Sequence, residues 1–500
     1  MIHVIALMIL ISTFILRCFP RLFFRIADIG ADHWFWKAYI ESYHKNHRFP
    51  PIMPQYLLDE HQWYPPIFPL LLAHMPSKIF DKYSYFVAPS IDLLRLGLVM
   101  VVAGTFSRNN VYWVVAVSGA IYALTPVLIS YNIQLNPRGL GSLLLDGLIV
   151  LIVWGYFMDG PNWIWIAVLL LAGLVLLTHK MTAQLFWFLC IVSGLATMDW
   201  RFLALIPASI LVALILSKGF YWKVLKAHWD IVTFWNRNWR WLQAHPIKES
   251  PIYGEPGYET PTKLHRKGWT GVKRHLTYLI AYNPWPWILF CYAGLNLIGG
   301  ERNFLTDYVW VWPWAVIIAL FSLITVFVPS LKCLGSGYLY LYNLAFPVAL
   351  IWGKIMSHAG LKSETIFLAA GFVLSIGAII FFYKHIRTSS ILRVDHDFER
   401  VLNFLKRAPR GPILCLPPQW YDLVAYKTDQ PVLYGGHGYG FRTLEPIFPR
   451  LLISLKEICS RYHARYLLTM DSYIKGTKLI DELPKQPLFY SGSYQVFEIR

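Results

Sequence analysis

Charged residues are scarce in this 500-residue sequence, where Asp, Glu, Lys and Arg together make up only 15%. A soluble domain carries roughly 25%. Hydrophobic residues account for 56% and aromatic residues for 17% of the chain, and apolar runs near the ~20 residues that cross a bilayer recur along most of it. So little charge with so much apolar bulk excludes a disordered chain, a collagen-like chain and an ordinary cytosolic enzyme. It predicts a multi-pass membrane protein.

Motifs for metals and nucleotide cofactors are missing as well. The six cysteines show neither Cys-x-x-Cys nor metal-like spacing. The glycine-rich stretch at 435–440 matches neither a dinucleotide fingerprint nor a P-loop, which needs Gly-Lys-Ser/Thr. No metal ligands are therefore predicted, and whether a divalent metal serves as a cofactor stays open.

Apolar runs predict eleven membrane-spanning helices in residues 1–387. From residue 388 the charge density rises and no later run is long enough to span a bilayer, so 388–500 is predicted to be a small α/β domain. Its strands are expected at 411–416, 431–434, 464–470 and 494–499, and its helix at 451–462. The predicted spans are 2–18, 87–105, 111–130, 139–158, 161–178, 182–197, 201–217, 277–298, 308–329, 339–357 and 364–383.

Eleven spans would place two long loops, 19–86 and 218–276, on the same membrane face as the C-terminal domain. The second loop is rich in Trp and in basic residues, which predicts a helix at the membrane surface. Its positive charge would normally draw it to the cytoplasm, but long loops follow that rule poorly. We therefore expect this face to be extracytoplasmic, in the plasma (inner) membrane. The net charge of +17 suggests anionic lipids or phosphate-bearing partners, and no nucleic-acid motif is present.

The first loop contains the most distinctive order of residues. It reads Asp28-Ile-Gly-Ala-Asp32-His33-Trp-Phe-Trp, and further on Trp63-Tyr64-Pro-Pro before an apolar run. An acidic residue just past the first span, an aromatic-rich helix and Tyr-Pro-Pro in this order resemble the GT-C superfamily, polytopic glycosyltransferases that use polyprenyl-phosphate-linked sugars. The Asp-Glu pair found in one branch of the superfamily is absent, because His33 follows Asp32, and the Trp-Trp-Asp signature of oligosaccharyltransferases is absent as well. The sequence therefore resembles a divergent branch.

The resemblance implies that an acidic residue of this loop lies in the active site. A carboxylate there can take the proton of the acceptor hydroxyl during glycosyl transfer. Asp32 is the predicted general base and Asp28 is its rival; the alternative is an acid that only caps the loop helix. His33, Trp63 and Tyr64 are predicted to contact substrate, with packing as the alternative for each.

Basic residues recur at span ends on the same predicted face. Arg138, His179, Lys180 and Lys332 could together clamp a lipid phosphate, with Arg binding it bidentately. Alternatively, each could extend to the lipid headgroups. Asp146 lies inside the fourth span, where an acid is costly, so we expect it to be paired.

The sequence thus predicts an inverting membrane glycosyltransferase that moves a sugar from a polyprenyl-phosphate donor to a lipid or glycan acceptor. Membrane lipids are expected partners, and nucleic acid is not. Two alternatives stay open: a transporter or flippase of lipid-linked saccharides, and a non-catalytic GT-C-like subunit. No clear internal repeat supports transport.

Overall fold

The computed structural model describes residues 2–24, 30–49, 52–58, 61–107, 110–241, 246–258, 268–299, 310–357, 362–388, 396–435 and 440–499. The chain forms two compact units, each built from several segments. The first unit comprises Met1–Ile26, Ser77–Tyr221 and Lys273–Thr388. The second comprises Ala27–Pro76, Trp222–Val272 and Ser389–Arg500.

Helices make up most of the described chain. The helices up to the middle of the sequence are α1 (Ile2–Phe24), α2 (Ala31–Asn46), α3 (Ile67–Ala73), α4 (Ser77–Tyr83), α5 (Val87–Thr105), α6 (Val111–Ala123), α7 (Pro126–Asn132), α8 (Arg138–Phe157), α9 (Ile164–Leu176), α10 (Lys180–Thr197) and α11 (Trp200–Leu216). The later helices are α12 (Phe220–Asn238), α13 (Gly268–Tyr282), α14 (Trp285–Ile298), α15 (Trp312–Phe327), α16 (Leu341–Ser357), α17 (Lys362–Thr388), α18 (His396–Arg407), α19 (Tyr421–Thr428), α20 (Phe441–Leu444), α21 (Leu455–Tyr462) and α22 (Asp471–Ile474).

Within the described residues, six helices are long and apolar enough to cross a membrane. The pair α6 and α7 also qualifies as one span bent by 53°, and Pro126 begins the helix after the bend. Four shorter helices, α9, α11, α14 and α15, are also apolar. Ten of the eleven predicted spans each fall on one of these helices or on the bent pair, and the eleventh overlaps α14. The prediction of an α-helical multi-pass membrane protein is confirmed. The number of crossings stays a prediction.

The predicted span 277–298 is wrong as a single helix. The structure ends α13 at Tyr282 and begins α14 at Trp285. Pro284 cannot continue the hydrogen-bond ladder of a helix. Asn283 completes the break, because its Nδ2 donates to the Leu341 carbonyl at 3.1 Å and its Oδ1 accepts from the Trp285 amide at 3.2 Å.

Two buried ion pairs join the helices of the first unit. Arg17 of α1 donates to Asp92 of α5 at 2.7 Å, and both side chains are fully buried. Arg95 donates to Asp146 of α8 through two nitrogens and to the Tyr342 carbonyl of α16 at 3.1 Å. The expectation that Asp146 is paired is confirmed. Since an isolated charge inside an apolar bundle is costly, these pairs fix which helix faces meet.

The second unit contains a four-stranded sheet in the order β1-β2-β4-β3. β1 and β2 are parallel, and the other two pairings are antiparallel. The predicted C-terminal α/β fold is confirmed, although β3 and α19 were not expected from the sequence. The strands are β1 (Ile413–Cys415), β2 (Tyr466–Met470), β3 (Phe489–Ser491) and β4 (Tyr494–Glu498).

The predicted strand 431–434 is wrong, because only Val432 pairs there, through isolated bridges to Ile413 and Tyr56. The Val432 amide donates to the Gln55 carbonyl at 2.7 Å, and Leu57 donates back to Val432 at 3.0 Å. A short piece of the first loop therefore lies beside the C-terminal sheet.

The Trp-rich loop is attached to the C-terminal segment within the same unit. Asp230 of α12 accepts from the Phe441 amide at 2.8 Å and from Arg442 at 3.2 Å, and Arg237 lies 2.8 Å from Glu445. Trp222 and Trp229 of the same helix remain exposed. The predicted loop helix is present, and its place at the membrane surface stays a prediction.

Candidate functional site

Asp32 lies in the first turn of α2, and the residue at the N-cap is Gly30, which has a φ of 89° and no side chain to cap the helix. A glycine is suited to this position because positive φ strains other residues. Asp32 is half-buried, and its place in the first turn puts its side chain near the positive end of the helix dipole. The alternative in which Asp32 caps the helix is wrong, because Gly30 occupies that position. Asp28 lies outside the described residues.

The residues after Asp32 form a buried aromatic face. Trp36 is fully buried and packs edge-on against Tyr64 at 4.8 Å and Phe68 at 5.5 Å between ring centroids. His33 is also buried and lies 5.6 Å from the Trp34 ring. Tyr64 and His33 are therefore packed in the interior of this unit, as the alternative interpretation of each residue expected. Their contact with substrate stays a prediction.

Trp63 is more accessible than Tyr64. Its ring stacks on His61 at 5.7 Å, and Lys223 Nζ lies 5.7 Å from its centroid. Trp63 is therefore half-buried between an imidazole ring and a cation, and its contact with substrate stays a prediction.

Two lysines beside the ring of Trp34 on α2 were not expected from the sequence. Lys37 is buried, with its Nζ 5.4 Å from the centroid of Trp34, and Lys427 of α19 lies 5.2 Å from the same ring. The signal available was the run Trp34-Phe-Trp36-Lys37, but Lys427 is distant in sequence, and only the packing of α2 against α19 brings it there.

Arg138 in the first unit begins α8, directly after Pro137. Its amide donates to Asn136 Oδ1 at 3.0 Å, and Asn136 Nδ2 donates to the Tyr131 carbonyl at 2.7 Å. The guanidinium lies 4.4 Å over the ring of Tyr131, and Nη2 lies 3.7 Å from the sulfur of Met181. Among the described residues the buried Nη1 has no hydrogen-bond partner. This nitrogen is suited to an anionic ligand.

The first turns of α8 and α10 lie against each other. A Cβ on Gly141 of α8 would be 2.8 Å from Thr182 Oγ1 and 2.9 Å from His179 Cβ. His179 is buried at the N-cap of α10, and its Nδ1 lies 2.9 Å from Thr182 Oγ1. Lys180 is the first residue of α10, with a buried Nζ. Two helix N-termini side by side favour an anion, because their free amides and dipoles point the same way.

The connection that carries Lys332 packs on the same helix. A Cβ on Gly335, which has a φ of 111°, would lie 2.9 Å from Met181 Cε. Tyr340 donates to Gln184 of α10 at 2.7 Å or to the Leu334 carbonyl at 2.8 Å. Lys332 itself is buried, and burial lowers the pKa of its ammonium group.

The structure therefore brings Arg138, His179, Lys180 and the Lys332 connection together at the start of α10. The sequence missed Tyr131 and Met181, which hold the Arg138 side chain, because neither residue type is a typical phosphate ligand. Asp32, His33, Trp63 and Tyr64 belong to the second unit. In the part of the chain described, no three His, Cys, Asp or Glu side chains are grouped as metal ligands.

The fold is similar to the folds of ArnT and of an archaeal oligosaccharyltransferase, in agreement with the resemblance predicted from the first loop. No protein-family model matches the sequence, and no curated protein matches it. The similarity is visible only in solved structures.

Crystal structures of two membrane proteins align with nearly the whole chain. ArnT from Cupriavidus metallidurans bound to undecaprenyl phosphate is 10% identical, with a TM-score of 0.57, covering 100% of this chain and 97% of ArnT. The oligosaccharyltransferase of Archaeoglobus fulgidus in the apo form is 11% identical, with a TM-score of 0.57, covering 93% of this chain and 69% of the other. Its complex with an inhibitory peptide and a dolichol-phosphate has a TM-score of 0.51.

Proposed function

We propose that this protein is a membrane glycosyltransferase that moves a sugar from a polyprenyl-phosphate donor to a lipid or glycan acceptor. The observation that carries the proposal is the anion site of the first unit, where Arg138 holds an unpartnered Nη1 beside the adjoining N-termini of α8 and α10. The fold supports it, since ArnT with the same fold was crystallised with undecaprenyl phosphate.

Glycosyl transfer requires a site that binds the phosphate anion and a base that accepts the proton of the acceptor. In the transfer step the bond between the anomeric carbon and the phosphate oxygen breaks, and a new bond to the acceptor oxygen forms. The electron pair of the broken bond stays on the polyprenyl phosphate, where Arg138 and the two helix N-termini stabilise its charge. Asp32 accepts the acceptor's proton. Direct displacement inverts the anomeric centre.

The other predicted site residues take supporting roles in this proposal. Lys180, Lys332 and His179 add positive charge and hydrogen bonds around the phosphate, and Trp63 packs against the sugar. Tyr64 and His33 hold α2 in place and are proposed to reach the substrate only at their edges. Asp28 remains the rival base.

Transport is the less favoured function. Ion-coupled transporters use intramembrane acids that bind and release protons or cations. Here Asp92 and Asp146 are each bonded to a buried arginine. A coupling role would first require breaking a buried pair, which costs several kcal/mol.

The proposed setting is the plasma (inner) membrane, with residues 1–387 as the transmembrane domain and 388–500 as an extracytoplasmic domain. Acceptors are then expected to be cell-envelope lipids or glycans.

The test is a transfer assay with the purified protein. Undecaprenyl-phosphate-linked hexoses, pentoses and aminosugars are supplied with cell-envelope lipid and glycan fractions, and mass spectrometry follows both the undecaprenyl phosphate released and the mass gained by the acceptor. With one class of donor, we expect the amount of undecaprenyl phosphate released to equal the amount of sugar gained by the acceptor. Donor moved across a vesicle membrane without any release would instead indicate transport.

Asp32→Asn is expected to lower the transfer rate by roughly 100-fold or more, the usual contribution of a positioned general base. The matched control is Glu41→Gln on the same helix, which removes an exposed carboxylate paired only with Lys45 at 3.0 Å and should leave the rate within about twofold. Full activity of Asp32→Asn would reject Asp32 as the base.

A further inference from the structure

A cleft of about 740 Å³ opens in the C-terminal segment of the second unit, within the range of ~300–1,000 Å³ typical of ligand sites. One wall is the outward face of α18, where Arg400, Asn403, Phe404 and Arg407 follow the spacing of a single helix face. None of the residues assigned to glycosyl transfer lines it.

The opposite wall is the end of the sheet where β2 and β3 begin and β4 ends. It contributes Arg465, Tyr466, Phe489 and Glu498. Arg465 is bonded to Glu498 at 3.1 Å, and Tyr466 donates its hydroxyl to the Pro409 carbonyl at 2.9 Å. This wall is therefore held rigidly before any ligand arrives.

The charge of the cleft is positive. Three arginines face a single carboxylate, that of Glu498. Arg407 forms no ion pair with any residue that the structure describes, and Arg400 has only a distant one, 3.8 Å from Asp397. Arg400 and Arg407 are seven residues apart on α18, so their backbone positions are separated by about 10 Å along the helix axis. An occupant with anionic groups at more than one point along its length fits this spacing.

The aromatic rings of the cleft leave no slot for a nucleobase between them. Phe404 and Phe489 stack on each other at 4.5 Å between centroids, nearly parallel at 5°. Each ring thus covers one face of the other, so no base can insert between the two rings. The rings and the amide of Asn403 suit the C–H faces and the hydroxyls of a sugar.

We propose that this cleft binds a segment of an acidic saccharide, a chain of sugars carrying carboxylate groups. Arg400 and Arg407 pair with successive anionic groups, Asn403 bonds hydroxyls, and Phe404 with Phe489 forms the apolar floor. The proposal goes beyond glycosyl transfer and does not depend on it, since binding requires no donor.

The test is calorimetric titration of the full-length protein in detergent with trigalacturonate, with neutral maltotriose and with an oligothymidylate of matched charge. We expect trigalacturonate to bind at least about 10-fold more tightly than either. Arg407→Gln and Arg400→Gln should each weaken it by a similar factor. Arg461→Gln, an exposed arginine of the same segment outside the cleft, should leave it unchanged.

Three results would overturn the proposal: no binding of trigalacturonate at millimolar concentration, equal binding of maltotriose, or tighter binding of the oligothymidylate. Binding that survives Arg400→Gln with Arg407→Gln in one chain would place the saccharide elsewhere. Full displacement of trigalacturonate by an equal concentration of inorganic phosphate would show that the cleft is a simple anion site. That result would also overturn the proposal.

Discussion

Arg138 shows how one side chain can be prepared for an anion before any ligand is present. Tyr131 lies under its guanidinium at 4.4 Å and Met181 lies at one edge, so few rotamers remain to be lost on binding. A cation packed on a ring keeps its hydrogen-bonding edge available, because the contact uses the face of the guanidinium plane. The phosphate of a lipid donor would meet an ordered partner.

Arg138→Gln is expected to weaken the binding of undecaprenyl phosphate by roughly 10- to 100-fold, which corresponds to the 1.5–3 kcal/mol of a charged hydrogen bond. Arg138→Lys should recover only part of this loss, since lysine cannot bind bidentately. Native mass spectrometry or a fluorescent lipid titration measures the affinity of each variant for undecaprenyl phosphate. In the control, Arg201→Gln removes an exposed arginine bonded to Asp199, and unchanged affinity is expected. Equal losses for both variants would contradict a specific role for Arg138.

At the scale of elements, the site depends on how closely α8 and α10 approach. Gly141 is the contact point, because a methyl group there would lie under 3 Å from two side chains of α10. Such overpacking usually costs about 1–3 kcal/mol and moves the backbone. Any shift would separate the two helix N-termini that form the anion site.

Gly141→Ala is therefore expected to lower the affinity for undecaprenyl phosphate severalfold while the protein stays folded. Gly147→Ala on the same helix is the matched control, because its Cβ would meet only Leu171 at an ordinary 3.5 Å. The same lipid titration and a thermal melt compare the two. An affinity for Gly141→Ala equal to that of Gly147→Ala would show that this helix contact does not shape the site.

Because Arg95 and Asp146 form a buried ion pair, we expect the stability of the folded protein to depend strongly on both residues. Asp146→Ala should destabilise the folded protein by about 3–5 kcal/mol, because it leaves a buried guanidinium without its carboxylate. Arg95→Met combined with Asp146→Leu should recover much of that loss, since two apolar side chains of similar size need no partner. Chemical denaturation in detergent measures the stability of both variants relative to the unsubstituted protein. A double variant less stable than Asp146→Ala would contradict this account.

Much of the helical layout could be predicted because long apolar runs leave few alternatives in a membrane. The break at Asn283 could be predicted only in part, because Pro284 signals the end of a helix whereas the hydrogen bond from Asn283 to the Leu341 carbonyl comes from tertiary packing. The basic residues of the site could be predicted as a group from their places at span ends. Met181 and Lys427 could not, because tertiary packing alone brings them to Arg138 and to Trp34, which are distant in sequence.

At the scale of the whole molecule, the second unit is assembled from three separate segments. The first loop is joined to the C-terminal segment by backbone pairing at Val432 and by Tyr56, whose hydroxyl donates to Asp422 at 2.9 Å. α2, which carries Asp32, packs against α19 of the same segment. The position of the proposed base therefore depends on residues almost 400 positions later in the chain.

Tyr56→Phe is expected to loosen α2, because it removes a fully buried hydroxyl and leaves Asp422 with one donor fewer. The expected loss is about 1–3 kcal/mol in the stability of this unit, seen as faster hydrogen exchange in peptides from 31–46 and a lower rate of transfer. Tyr490→Phe, at a tyrosine that is 70% exposed, is the control and should change neither. Unchanged exchange in Tyr56→Phe would show that α2 is held by other contacts.

In the proposed function, Arg138 and the first turns of α8 and α10 hold the phosphate of a polyprenyl donor. The most direct measurement is a cryo-electron microscopy structure of the full-length protein with undecaprenyl phosphate in a lipid nanodisc. We expect phosphate density within hydrogen-bonding distance of the Arg138 guanidinium. Phosphate bound away from Arg138, or a lipid path open to both membrane faces, would contradict it.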